Sequence, residues 1–218
     1  FALSGLKSFT LSDSVTKLCD SSFRYTDMET LDITGTNVTE LGDYVFAYSY
    51  LLKSAKLPAL TRVGYGTFFF APDSSIPATV SGYKLSYVSF AEGTTDIGNG
   101  TFASTTGYKS LTTVVLPDSA RDSVKRVGSM TFSGCSALTE LNLGAISYAG
   151  DYSFYGCQAL RALDTSALTY AGDYAFGGCS ALSLSDVSAL RTIGDYAFSG
   201  VKLGTVSLPE VKTIGART

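Results

Sequence analysis

Cysteine and aspartate are the residues whose spacing in this sequence first suggests chemistry. Cys135, Cys157 and Cys179 recur every 22 residues, as do Asp151, Asp173 and Asp195, and histidine is absent. Without histidine, the Ser/His/Asp and Cys/His nucleophile systems and histidine metal sites cannot be built. Paired carboxylates are the catalytic chemistry left to weigh, in the aspartate series or in Asp164 and Asp186. The series is expected to cap short helices, each oxygen accepting from amides two or three residues on, and the pair to sit on a solvated outer face. A stacked aspartate ladder could also attract calcium, but capping would already occupy those oxygens. The three cysteines fit buried, reduced, small apolar positions better than a disulfide, although a separation of ~5 Å between stacked repeats does not by itself forbid a bridge. No C-x-x-C pair offers a metal site. No catalytic residue, metal or cofactor is assigned.

The spacing that sets these residues out belongs to a repeat. AGDYSFYGCQALRALDTSAL from Ala149 and AGDYAFGGCSALSLSDVSAL from Ala171 are near copies, VGSMTFSGCSALTELNLGAI from Val127 precedes them in register, and IGDYAFSG opens again at Ile193. The marker phenylalanines are Phe23, Phe46, Phe68, Phe102, Phe132, Phe154, Phe176 and Phe198; all gaps are 22 or 23 residues except 34 and 30, which carry insertions. A fixed period of this length means stacked units, none of which can bury its apolar face alone.

Each unit divides into a strand and a turn. An L-x-x-L-x-L pattern follows the phenylalanine, as in Leu138, Leu141 and Leu143, and its last positions alternate inside and outside as a short strand requires. Nine such segments begin near Leu6, Met28, Leu52, Leu85, Leu111, Leu138, Leu160, Leu182 and Leu203, with Thr165 and Ser185 replacing leucine in the later ones. They are expected to form one parallel sheet. Before the phenylalanine, a glycine and a short polar residue such as Gly150-Asp151 predict a turn and an N-cap, then one turn of α or 3₁₀ helix with the phenylalanine inward. Cys19 falls in the glycine slot of its own unit.

L-x-x-L-x-L followed by I-G-x-x-A-F-x-x-C resembles the BspA-like class of leucine-rich repeats, over nearly the whole chain and most closely from Val127 to Phe198. The fold class that follows is an α/β repeat. It is a leucine-rich-repeat solenoid with one parallel sheet of about nine short strands and short helical or 3₁₀ turns opposite. Residues 1–218 are expected to make a single solenoid domain, and the IGART ending, which opens another unit without a polar cap, suggests a piece of a longer protein. The resemblance implies a secreted or surface-attached bacterial protein, some of whose relatives are adhesins toward host proteins. It implies a scaffold and a location more firmly than a ligand.

Composition narrows the partners. The chain is 45% hydrophobic and 16% charged, enough to bury a core, and its net charge of −3 gives no basic surplus for nucleic acid or anionic membrane. No apolar run is long enough to insert directly into a membrane. The outward strand positions are small and polar, with Tyr87 and Val115 standing out. The insertions are therefore the better place for function: FFAPDSSIPATVSGY, from Phe69 to Tyr83, and PDSARDSVKR, from Pro117 to Arg126. They interrupt different parts of the unit, so one site built from both is not expected. Phe69, Phe70, Tyr83 and Tyr87 are the candidate ligand contacts, forming an aromatic patch or else local packing under a long loop. Tyr44, Tyr152, Tyr174 and Tyr196 recur two residues before the phenylalanine and are expected to pave the outer face of the turn side. The reading is an extracellular or cell-surface binding or adhesion module for a host or surface protein or glycan, not an enzyme. The alternative is a passive spacer in a larger surface protein.

Overall fold

The computed structural model describes residues 1–71, 83–105, 109–184 and 186–218. Two series of short strands run along the solenoid. The first comes from the leucine pattern. Thr30–Asp32, Ser54–Leu57, Tyr87–Phe90, Thr113–Val115 and Glu140–Leu141 pair in that order in one parallel sheet, and Ser183–Leu184 pairs with Lys202–Leu203 in another. The second series lies just before the glycine. Lys17–Leu18, Glu40–Leu41 and Arg62–Val63 form a three-stranded parallel sheet, and Arg126–Val127, Tyr148–Ala149, Tyr170–Ala171, Thr192–Ile193 and Thr213–Ile214 a five-stranded one.

The expectation of a single nine-stranded sheet is thus corrected to four sheets among the described residues. The second series escapes a periodicity reading because two residues, such as outward Thr192 and buried Ile193, are too short to display an alternation. No strand forms near Leu6 or Leu160. Around Leu160 the leucine slot holds Thr165, which is 3% exposed and satisfies its hydroxyl by donating to the Asp186 carbonyl at 2.6 Å. Ser185 lies outside the described residues.

The turn side also departs from expectation, since its repeats are turns and not helices. The one α-helix among the described residues, Asp118–Arg121, belongs to the second insertion. Alternate amides of each turn serve two directions. Those of Tyr152, Phe154 and Gly156 donate to the carbonyls of Asp173, Ala175 and Gly177 in the next rung, each at 2.8 Å. Those of Ser153, Tyr155 and Cys157 donate three residues back within the turn. This alternation needs left-handed backbone at Tyr152 (φ 56°) and Gly156 (φ 73°), a conformation that costs a tyrosine about 1–2 kcal/mol. The rung-to-rung bonds offset that cost.

The aspartates act across the same gap and are not N-caps. The Asp173 amide donates to Asp151 Oδ1 at 3.0 Å, the Asp195 amide to Asp173 Oδ1 at 2.7 Å and the Ala216 amide to Asp195 Oδ1 at 2.7 Å. Asp20 and Asp43 repeat the arrangement toward Asp43 and Tyr65. Each carboxylate tethers the following rung.

At the centre, the eight marker phenylalanines stack in one column with neighbouring ring centroids 5.3–5.7 Å apart. The column keeps the same ring spacing on either side of both insertions. Beside it, the Cys135, Cys157 and Cys179 thiols donate to the carbonyls of Phe102, Phe132 and Phe154 at 3.4, 3.2 and 3.0 Å. All three cysteines are buried and unbridged, as expected of small apolar positions with one weak donor each. Burial pushes the Cys157 thiol well above its ordinary range.

Candidate functional site

The turn side carries a groove, and it arises from a change of residue size between neighbouring rungs. In the slot just after the phenylalanine, successive rungs place Phe69, Ala103, Ser133 and Tyr155. Two small residues therefore separate two aromatic ones, across three steps of 5.4–5.7 Å in the phenylalanine column. The Phe69 ring leans toward the preceding rungs, edge-on to Tyr44 and Tyr48 at 5.9 Å each. Tyr155 leans the other way, held at steep angles between Tyr152 (5.6 Å) and Tyr174 (6.0 Å) and over Gly177, where a Cβ would lie 3.2 Å from its ring. The walls part, leaving a cleft of about 580 Å³. That is within the ~300–1,000 Å³ range of small-ligand sites.

Met130, Tyr152 and Tyr155 form the apolar wall, with Met130 39% and Tyr155 43% exposed. Ser133, Ser136, Lys109 and Gln158 bring hydrogen-bonding groups to the same cleft. Among the described residues Lys109 is its only charged side chain. Behind the wall, Tyr152, Tyr174 and Tyr196 stack at 5.0 and 4.7 Å, so the in-phase tyrosines do pave this face.

The four aromatics singled out from the sequence do not form one patch. Phe69 is half-buried and lines the groove. Phe70 and Tyr83 are 9% and 8% exposed and pack on each other with centroids 5.0 Å apart. Tyr87 is 37% exposed but stands on the leucine-strand sheet, in register between Ser54 and Thr113. Residues 72–82, the middle of the first insertion, lie outside the described residues, as do 106–108.

Sequence reading missed Met130, Lys109 and Gln158, and also the role of Ala103 and Ser133 as the floor. One signal was present. Phe102 stands nine residues before Leu111, where Phe132 stands six before Leu138, so the chain is lengthened a second time on the turn side. A parallel bridge between Phe70 and Ser104 joins the two lengthened rungs there. No residue of the Pro117–Arg126 insertion lines the groove.

The carboxylates offer poor acid–base chemistry. The Ser166 hydroxyl and amide bond Asp164 Oδ1 at 2.6 and 3.0 Å, the Ser188 amide and hydroxyl bond Asp186 Oδ1 at 2.9 and 2.8 Å, and both carboxyls are held below their usual range. An acid and base pair needs the two pushed apart. Among the described residues no three cysteines, aspartates or glutamates converge as a metal site.

The repeated tethered turn, the phenylalanine column and the leucine strands together define a leucine-rich-repeat solenoid. The profile of the BspA type leucine rich repeat region matches residues 1–81 and 97–218 in six copies, and the chain belongs to that family. Leucine-rich repeat proteins from Bacteroides ovatus and Eubacterium ventriosum are similar in structure. The first is 22% identical (TM-score 0.47) over 89% of this chain and 64% of that one, and the second 21% identical (TM-score 0.43) over 94% and 73%. A leucine rich cell surface protein from Faecalibacterium prausnitzii aligns at 15% identity and TM-score 0.34, over 94% of this chain and 64% of that one. This chain thus spans less than two thirds of the length of the first and third. No curated protein matches the sequence.

Proposed function

We propose that this chain is a non-catalytic binding module displayed at a bacterial cell surface, which holds its ligand in the turn-side groove between Phe69 and Tyr155. The observation that carries the proposal is the groove itself: exposed aromatic and thioether surface beside hydrogen-bonding side chains, on a rigid column of rungs. Concave sites of mixed lining are where ligands bind, and exposed aromatic anchors dominate such interfaces. Membership of the BspA type repeat family supports the surface location and the scaffold role. The partner class is a host or surface protein or glycan. Of the four aromatics marked in the sequence, Phe69 is the one that serves as a ligand contact in this reading.

A spacer role is favoured by the strand side, where exposed ion pairs such as Lys53–Glu29 at 2.6 Å and Lys56–Asp32 at 3.4 Å tie neighbouring rungs together. One screen separates the readings. The purified protein and its Phe69→Ala/Tyr155→Ala variant, matched for melting temperature, are applied to an array of host extracellular proteins, bacterial surface proteins and glycans. Capture by the parent and not by the variant supports the groove; capture by neither overturns the binding reading in favour of the spacer.

A further inference from the structure

The floor of the groove restricts what can occupy it. Its main chain is already committed: the amides of Phe102, Ser104, Phe132 and Gly134 donate to Thr131, Ser133, Ser153 and Tyr155 carbonyls of the following rungs at 2.7–2.9 Å. Those of Ala103 and Ser133 close their own turns on Gly100 and Met130. An extended peptide that docks by adding a strand needs a free edge of amides and carbonyls, and these floor amides are already taken. Recognition falls to ring faces and to side-chain donors and acceptors. Among the described residues the Ser133 and Ser136 hydroxyls, the Gln158 amide and the Lys109 ammonium have no bonding partner within the protein and are available to a ligand.

We infer that the groove binds a saccharide carrying a carboxylate, a uronic-acid type of sugar. This rests on the proposed binding role and names the ligand class for the same site. A pyranose ring presents a flat C–H face and a rim of hydroxyls; the face suits the exposed Tyr155 ring and Met130, the rim suits serine and amide groups. The acidic preference follows from charge. In a chain of net charge −3, this groove is lined, among the described residues, by one cation and no carboxylate. Lys109 attracts a carboxylate there and discriminates against neutral sugars, an effect screened by salt.

The test is calorimetric titration of the whole chain with a hyaluronan tetrasaccharide, which alternates glucuronate and N-acetylglucosamine, and with neutral chitotetraose. The acidic sugar is expected to bind about tenfold more tightly. Tyr155→Ala should abolish binding of both, and Lys109→Gln should erase the difference between them. Equal affinities in the parent, or binding unchanged in Tyr155→Ala, overturn the inference. If neither sugar binds while the array still shows capture that Tyr155→Ala removes, the saccharide inference fails and the binding module stands. Loss of that capture too would sink both.

Discussion

Asp151 Oδ1 occupies the space into which a Cβ on Gly172 would project, and the same crowding recurs between Asp173 and Gly194 and between Asp195 and Gly215. At these three positions glycine is therefore required by the carboxylate and the main chain of the preceding rung, which together leave no room for a Cβ. It needs no unusual backbone angle, since none of these three glycines has a positive φ. Gly172→Ala is expected to cost about 1–3 kcal/mol, the usual range for inserting a methylene into a packed site. In Asp151→Ala/Gly172→Ala the contact with the carboxylate is gone while the main-chain contacts at 2.7 and 2.9 Å remain, so the double variant should recover only part of the loss caused by Gly172→Ala. Gly204→Ala, which meets nothing within 4 Å, should change stability by less than about 0.5 kcal/mol. Urea midpoints of the four proteins check this.

The phenylalanine column predicts a gradient of cost. Phe154→Ala removes a fully buried ring stacked on both sides and should destabilise by about 3–5 kcal/mol. Phe198, 6% exposed and stacked only on Phe176, should cost less. Equal losses measured by denaturant unfolding would contradict a stability carried by ring-to-ring stacking.

Thiol chemistry should divide the cysteines one against three. Cys19 is exposed, whereas Cys135 and Cys157 are buried with thiols that burial holds in the protonated form. The thiolate is the reactive species. Titration with an aromatic disulfide at neutral pH is expected to modify only Cys19 in the folded protein, and all four cysteines in denaturant.

Acid should weaken the fold through its local carboxylate turns. Hydrogen bonds to Thr34, Ser166 and Ser188 hold Asp32, Asp164 and Asp186 below the ordinary carboxylate range. A folded pKa below the unfolded value stabilises the fold above the unfolded pKa, and that contribution is lost as pH falls through the folded one. The melting temperature should therefore drop as pH falls below about 4, near the unfolded aspartate pKa. In Asp164→Asn/Asp186→Asn the drop should be shallower.

The repeat and its inward residues were legible because period and burial coincide: Leu138, Phe132 and Cys135 recur in phase and are all fully buried. Three things were hidden, each for a physical reason. The strands before glycine are two residues long, below the length at which alternation shows. The aspartates look like N-caps because Gly-Asp before an apolar residue is a local signal, whereas their partners lie 21 to 23 residues away. The groove depends on what is small, Ala103 and Ser133 between Phe69 and Tyr155, and a search for large or charged residues passes over such a gap.

The central claim, that the ligand sits between Phe69 and Tyr155, is most directly tested by the methyl spectrum of the two methionines. Met130 lines the groove at 39% exposure and Met28 lies in the core at 1%. With methyl-labelled methionine, addition of a captured partner should shift the Met130 resonance and leave Met28 in place. A partner that binds while Met130 stays unmoved would put the site elsewhere on the solenoid and contradict the account.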